Sequence, residues 1–136
     1  MVRTQENELR GKALEKLRSI GLYHLRDEYA GNLSGGQKRL LELARTMMAD
    51  PHMVLFDEPG AGVNPAERRT LADHIRRLAS EEGLAVLLIG HEMELVMDIC
   101  DPIIVMDRGK KLMIGTPQEV ASDQRVLEVY LGGALA

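Results

Sequence analysis

The sequence predicts an α/β fold in which parallel core strands are flanked by helices and followed by a C-terminal β-hairpin. Three observations carry this expectation. Helix-like stretches alternate with strand-like ones along the 136 residues. Two of the strand-like stretches, Met53–Phe56 ("MVLF") and Ala85–Ile89 ("AVLLI"), are short uninterrupted apolar runs, the pattern of parallel strands covered on both faces. Finally, "IIVMD" (103–107) and "KLMIG" (111–115) flank the tight turn "RGK", which reads as a hairpin.

The elements follow in order. Leu9, Ala13, Leu17 and Ile20 mark one face of a first amphipathic helix, with Gly21 as its stop. Residues 22–32 read as a connector. Ser34 opens a second helix with Leu40, Leu43, Ala44 and Met47 on one stripe, ending at Asp50-Pro51. After the first strand, Asn64, Pro65 and Glu67 supply a cap, a first-turn proline and an acidic third position. The helix they start carries Leu71, Ile75 and Leu78 and stops near Gly83. A short helix over 92–100 turns Met93, Val96, Met97 and Cys100 inward. Thr116-Pro117-Gln118-Glu119 is a capping signature opening a last helical segment that runs to about Leu131.

The bulk numbers narrow the function. A chain of this length is expected to form a single domain, 1–136, with a substantial core. Net charge is −4 and no basic block occurs, which argues against nucleic acid as a partner, since phosphate neutralisation needs clustered Lys and Arg. Aromatic residues make up 3% with no Trp, so base-stacking platforms are not expected. One cysteine excludes an internal disulfide framework and fits a reducing compartment. No apolar run is long enough to cross a bilayer, and "MVRTQENELR" does not read as a signal peptide. The expectation is a cytoplasmic protein able to dock on a membrane partner.

Three stretches can carry chemistry. In "LSGGQ" (33–37), Ser34 and Gln37 stand in the S-x-x-Q relation of a capping box, which by itself explains both residues. It does not explain Gly35 and Gly36, each of which weakens a first helical turn by roughly 1 kcal/mol relative to Ala. Exposed N–H groups at the positive end of a helix dipole would let an anion approach there, so capping and phosphate contact both remain open. Yet the phosphate-loop pattern G-x-x-x-x-G-K-[S/T] occurs nowhere in the chain. In "MVLFDEP", Asp57 and Glu58 lie at the carboxyl end of a strand, where open α/β sheets bind ligands. One carboxylate there can hold Mg²⁺ and the other can take a proton from water, or both can simply end a strand in solvent. His91 follows the second strand in "LLIGH" and, if the two strands are parallel, reaches the same end of the sheet.

Taken in order, "LSGGQ", "MVLFDEP", "GVNP" and "LLIGH" resemble the ATPase subunit of ATP-binding cassette (ABC) transporters, from about Asn32 to the C-terminus. The resemblance implies the signature half of a phosphate-loop NTPase fold. It implies that Ser34, Gly35, Gly36 and Gln37 contact the ATP held by a second ATPase subunit. Asp57 then stands for the magnesium aspartate, acting directly or through water, Glu58 for the general base, and His91 for the switch histidine. Gly60 to Asn64 stand for the loop that couples the two subunits, with Ala61 and Asn64 where most such ATPases have Ser and Asp. The implied cofactors are ATP and Mg²⁺. The implied partners are a second ATPase subunit and transmembrane permease subunits on the inner face of the membrane.

"EPGAGVNP", "LLIGHEMELVMDICD" and "GTPQEVASDQRVLEVYLGG" resemble the branched-chain amino acid importers within this family. The family's phosphate loop, adenine-stacking residue and Q-loop have no counterpart in the chain. That leaves a second expectation, a non-catalytic module lending its signature loop to a complete cassette, and a weaker third, an ABC-type DNA-repair ATPase, which the acidic balance and the lack of heptads oppose.

Overall fold

The structure, a computed structural model, describes residues 2–132. It falls into two compact units, the first ending at Gly90 and the second beginning at His91.

The first unit opens with α1 (Val2–Ser19), followed by two short 3-10 turns (Tyr23–Leu25 and Ala30–Asn32) and α2 (Gly35–Met47). Then come β1 (Met53–Asp57), α3 (Pro65–Ser80) and β2 (Ala85–Ile89). β1 and β2 pair in parallel, Met53 opposite Ala85 and Asp57 opposite Ile89, so their carboxyl ends coincide. The stripe on α2 is buried as its spacing requires: Leu40, Leu43, Ala44 and Met47 all lie inside. Leu43 and Met47 join Val54, Leu78 and Leu84 in one apolar cluster, with Phe56 and Val86 packed against it. Helices α2 and α3 therefore cover one face of the strand pair.

The other face departs from the expected two-sided burial. Leu55 is 66% exposed, Ile89 57%, and Met53 and Leu87 are exposed beside them. These residues alternate with the packed ones and face a side that no described element of this unit covers. On α1, Leu9 is exposed, while Ile20, on the expected face, is buried just after the helix, as is Leu22. Lys12 ties α1 to the end of α2, donating to the Met48 carbonyl at 3.0 Å and pairing with the Asp50 carboxylate. That partner holds the exposed Asp50 carboxyl below its ordinary range.

The second unit contains α4 (Met93–Ile99), the antiparallel pair β3 (Ile103–Asp107) and β4 (Lys110–Gly115), α5 (Pro117–Ser122) and α6 (Gln124–Gly132). Ile103, Val105, Val120 and Val126 form its core, with Met93, Val96, Met97 and Cys100 packed against them as the sequence predicts. Burial pushes the Cys100 thiol above its ordinary range, which suits a core residue better than a reactive one. The single final helix expected from the sequence is two. Asp123 breaks it, its carboxylate oxygen accepting from the backbone N–H of Arg125 at 2.9 Å and of Val126 at 3.4 Å, so α6 starts afresh on an acidic cap.

The hairpin turn has two residues, Arg108 (φ 46°) and Gly109 (φ 77°), both in the left-handed region required by the tightest turns that match strand twist. Glycine meets that demand freely, whereas arginine incurs about 1 kcal/mol of steric cost. Arg108→Asn is accordingly expected to stabilise the protein by about 0.5–1 kcal/mol, read as a higher urea midpoint with unchanged slope.

Candidate functional site

The turn Leu33–Gln37 and the loop Glu58–Asn64 lie side by side in the first unit. Ser34 caps α2: its Oγ accepts from the Gln37 N–H at 3.1 Å, and the Gln37 side-chain oxygen accepts from the Ser34 N–H at 2.9 Å. The capping box read from the sequence is complete. The two glycines have a separate reason. A Cβ on Gly35 would stand 3.0 Å from the Gly62 carbonyl oxygen, and one on Gly36 would stand 2.6 Å from Glu67 Cβ. Neighbouring backbone and helix leave no room for side chains here, so the two loops come together as closely as they do only because both positions are glycine.

Asn64 caps α3, its Oδ1 accepting from the Glu67 N–H at 3.0 Å, with Pro65 in the first turn as expected. The sequence pattern marks Glu67 only as part of a helix start. Its carboxylate crosses to the neighbouring helix, where one oxygen accepts from Ser34 Oγ at 2.5 Å and the other from the Gly36 N–H at 3.3 Å. The second oxygen also accepts from Asn64 Nδ2 at 2.6 Å. An acid at this position of a capping box ordinarily turns back to the N–H of its own cap. Glu119 does so in α5, accepting from the Thr116 N–H at 2.8 Å. The signal in sequence was the Asn64-x-x-Glu67 spacing, but the destination of the carboxylate depends on α2 starting where α3 starts.

Asp57 and Glu58 are both exposed at the carboxyl end of β1. Glu58 leaves the strand with φ 47°, a left-handed conformation costing a residue with a side chain about 1–2 kcal/mol, while its N–H still donates to the Ile89 carbonyl at 2.7 Å. The loop beyond is packed, with Pro59, Gly60 and Val63 buried, and Arg68 Nε donating to the Val63 carbonyl at 2.8 Å. Asp57 lines an open groove of about 320 Å³ together with Arg39, Thr46, Leu55, Pro59 and Leu71. Among the described residues no cluster of three or more His, Cys, Asp or Glu side chains could by itself hold a metal ion. His91 is exposed at the start of the second unit, two residues past the end of β2. The structure thus brings Ser34, Gly35, Gly36, Gln37 and Asn64 together, sets Asp57 and Glu58 next to each other at the strand end, and leaves His91 in the other unit.

This arrangement, a glycine-rich helix start packed on the loop after an acidic strand end, defines a class. The chain belongs to the ATP-binding cassette family of transporter ATPases: residues 1–61 match the ABC transporter family model. Within it, residues 110–136 match the family of branched-chain amino acid ATP-binding cassette transporters. The chain is 42% identical over 132 residues to the high-affinity branched-chain amino acid transport ATP-binding protein BraF of Pseudomonas aeruginosa, covering 97% of this chain and 52% of that one. It is 39% identical over 132 residues to LivG of Escherichia coli K12, a protein of the same description, with the same two coverages. Its fold matches the crystal structure of the ADP conformation of MJ1267, an ATP-binding cassette of an ABC transporter, at a TM-score of 0.84 and 36% identity over 92% of this chain and 50% of that one. The chain spans about half the length of these relatives. The expected α/β cassette fold, with its parallel strands and C-terminal hairpin, is what these likenesses and the topology bear out.

Proposed function

We propose that this chain is the signature half of an ATPase that powers branched-chain amino acid uptake, acting as one cassette domain with a phosphate-loop segment and facing a second ATPase subunit. The observation that carries this reading is the oxygen pair held at the start of α2. Ser34 Oγ and the Gly36 N–H already bind a carboxylate, so the turn is built to bind oxyanions. In the assembled ATPase Ser34, Gly35, Gly36 and Gln37 would grip the terminal phosphates of ATP held by the opposing subunit. Asn64, on the adjoining loop, would report that grip across the interface.

Asp57 fits a magnesium ion that keeps most of its ligands as water and phosphate oxygens, because one exposed strand-end carboxylate is all the protein need supply. Bound Mg²⁺ neutralises charge on the phosphate oxygens. Glu58 would accept the proton of the attacking water, and His91 would donate a hydrogen bond to the terminal phosphate. Tighter contact with ATP than with ADP biases the subunits between closed and open, and permease subunits on the inner face of the membrane would convert that motion into transport. Among the described residues no helix is long and apolar enough to cross a membrane, so the passage itself would belong to the permease.

The test is calorimetric. Mg-ATP titrated into the chain alone is expected to give no binding; adding the phosphate-loop half of the Pseudomonas relative is expected to give both binding and hydrolysis. Tight binding by the chain alone would overturn the assignment of its loops.

A further inference from the structure

The signature turn is already occupied by an anion belonging to the protein. On the reading above, Ser34 Oγ and the Gly36 N–H are the groups that must meet the partner-held ATP, and both are engaged by the Glu67 carboxylate. A carboxylate and a phosphate cannot share these donors: each donor has one proton to give, and two anions at bonding distance repel. We propose that Glu67 is an internal stand-in for the nucleotide phosphate, holding the signature turn closed on itself until ATP displaces it.

The structure also supplies the place to which it would retire. The oxygen that accepts from the Gly36 N–H accepts as well from Asn64 Nδ2, at the shorter distance of 2.6 Å against 3.3 Å. Giving up Ser34 and Gly36 therefore leaves Glu67 hydrogen-bonded, on the loop that Asn64 caps. Ligand arrival at the turn moves a charge toward the subunit-coupling loop, which links the two loops by one side chain. An aspartate in place of Asn64 would set a second carboxylate against Glu67 and offer it no donor, so the amide at position 64 and the acid at position 67 work as a pair. Glu67 is thus a positioning residue, acting through Ser34, Gly36 and Asn64.

The experiment uses the chain joined to the phosphate-loop half of the Pseudomonas relative. The readout is the concentration of a non-hydrolysable ATP analogue needed for half-maximal dimerisation, followed by light scattering. Glu67→Gln removes the charge and keeps the shape; Glu67→Ala removes the clamp. Both are expected to lower that concentration, Glu67→Gln by about tenfold, since a charged hydrogen-bond competitor of Ser34 and Gly36 is lost. Ser34→Ala is expected to raise it. Structural damage alone would weaken the dimer, so the gain is the discriminating direction. If Ser34→Ala weakens dimerisation while both Glu67 variants match or weaken the unaltered protein, Glu67 is only a brace and the inference fails with the reading intact. If the unaltered protein forms no analogue-dependent dimer, or Ser34→Ala changes nothing, the reading of the turn fails and takes the inference with it.

Discussion

Glu58→Gln, introduced into the chain joined to a phosphate-loop half, is expected to reduce ATP hydrolysis by about 10²–10⁴-fold while leaving ATP-dependent dimerisation intact. The amide has the same shape as the carboxylate, so packing is kept and only the proton acceptor disappears. Glu58 is exposed, so the substitution empties no core position and the melting temperature should stay where it was. The backbone strengthens the expectation. A residue held at φ 47° against its own steric preference, at the mouth of a strand and with its N–H fixed to Ile89, is placed by its surroundings. Single-turnover hydrolysis against analogue binding separates the two effects. Unchanged hydrolysis would remove Glu58 from the chemistry and leave its backbone geometry as a property of the turn alone.

What the sequence made legible was mostly local. The capping residues Ser34, Asn64 and Thr116, the stripe on α2 and the hairpin turn each depend on neighbours within a few positions, and each formed as its spacing requires. The strands depart from their sequence pattern on one point for a physical reason. An apolar run states that a strand tolerates burial on both faces, but whether both are covered depends on which layers lie opposite, and Leu55 and Ile89 are open here. Leu9 and Leu22 exchanged roles for a similar reason, since the 3.6-residue period fixes a face but not where the chain leaves the helix. Glu67 departs furthest from its local pattern. Its capping-type spacing predicts a bond inside its own turn, and only the meeting of two helix starts, which no local pattern encodes, sends the carboxylate to Ser34 and Gly36 instead.

That meeting makes Gly36 a position where one added methyl group reverses its usual effect on a helix. In an open helix, Gly→Ala is stabilising by about 0.5–1 kcal/mol, and Gly11 on α1 offers that case, with nothing beyond its chain neighbours and its own helix backbone within 4 Å of an added Cβ. At Gly36 the same methyl group would lie 2.6 Å from Glu67 Cβ, 2.7 Å from Cδ and 2.8 Å from Oε2. A terminal oxygen could swing aside, but a Cβ moves only with its helix, so α2 and α3 must part. Gly36→Ala is therefore expected to destabilise by about 1–3 kcal/mol, overpacking outweighing helix propensity, whereas Gly11→Ala is expected to gain stability. Urea unfolding of the two variants side by side tests the sign. The functional loss should exceed the stability loss, because parting the helices separates Ser34 and the Gly36 N–H from Asn64, and the turn then has no fixed geometry with which to meet a phosphate. Dimerisation with the ATP analogue should fall at temperatures where the variant is still fully folded. If Gly36→Ala instead proves as stable and as ready to dimerise as the unaltered protein, the contact between the two loops is soft, and neither the glycine nor the Glu67 bridge governs the site.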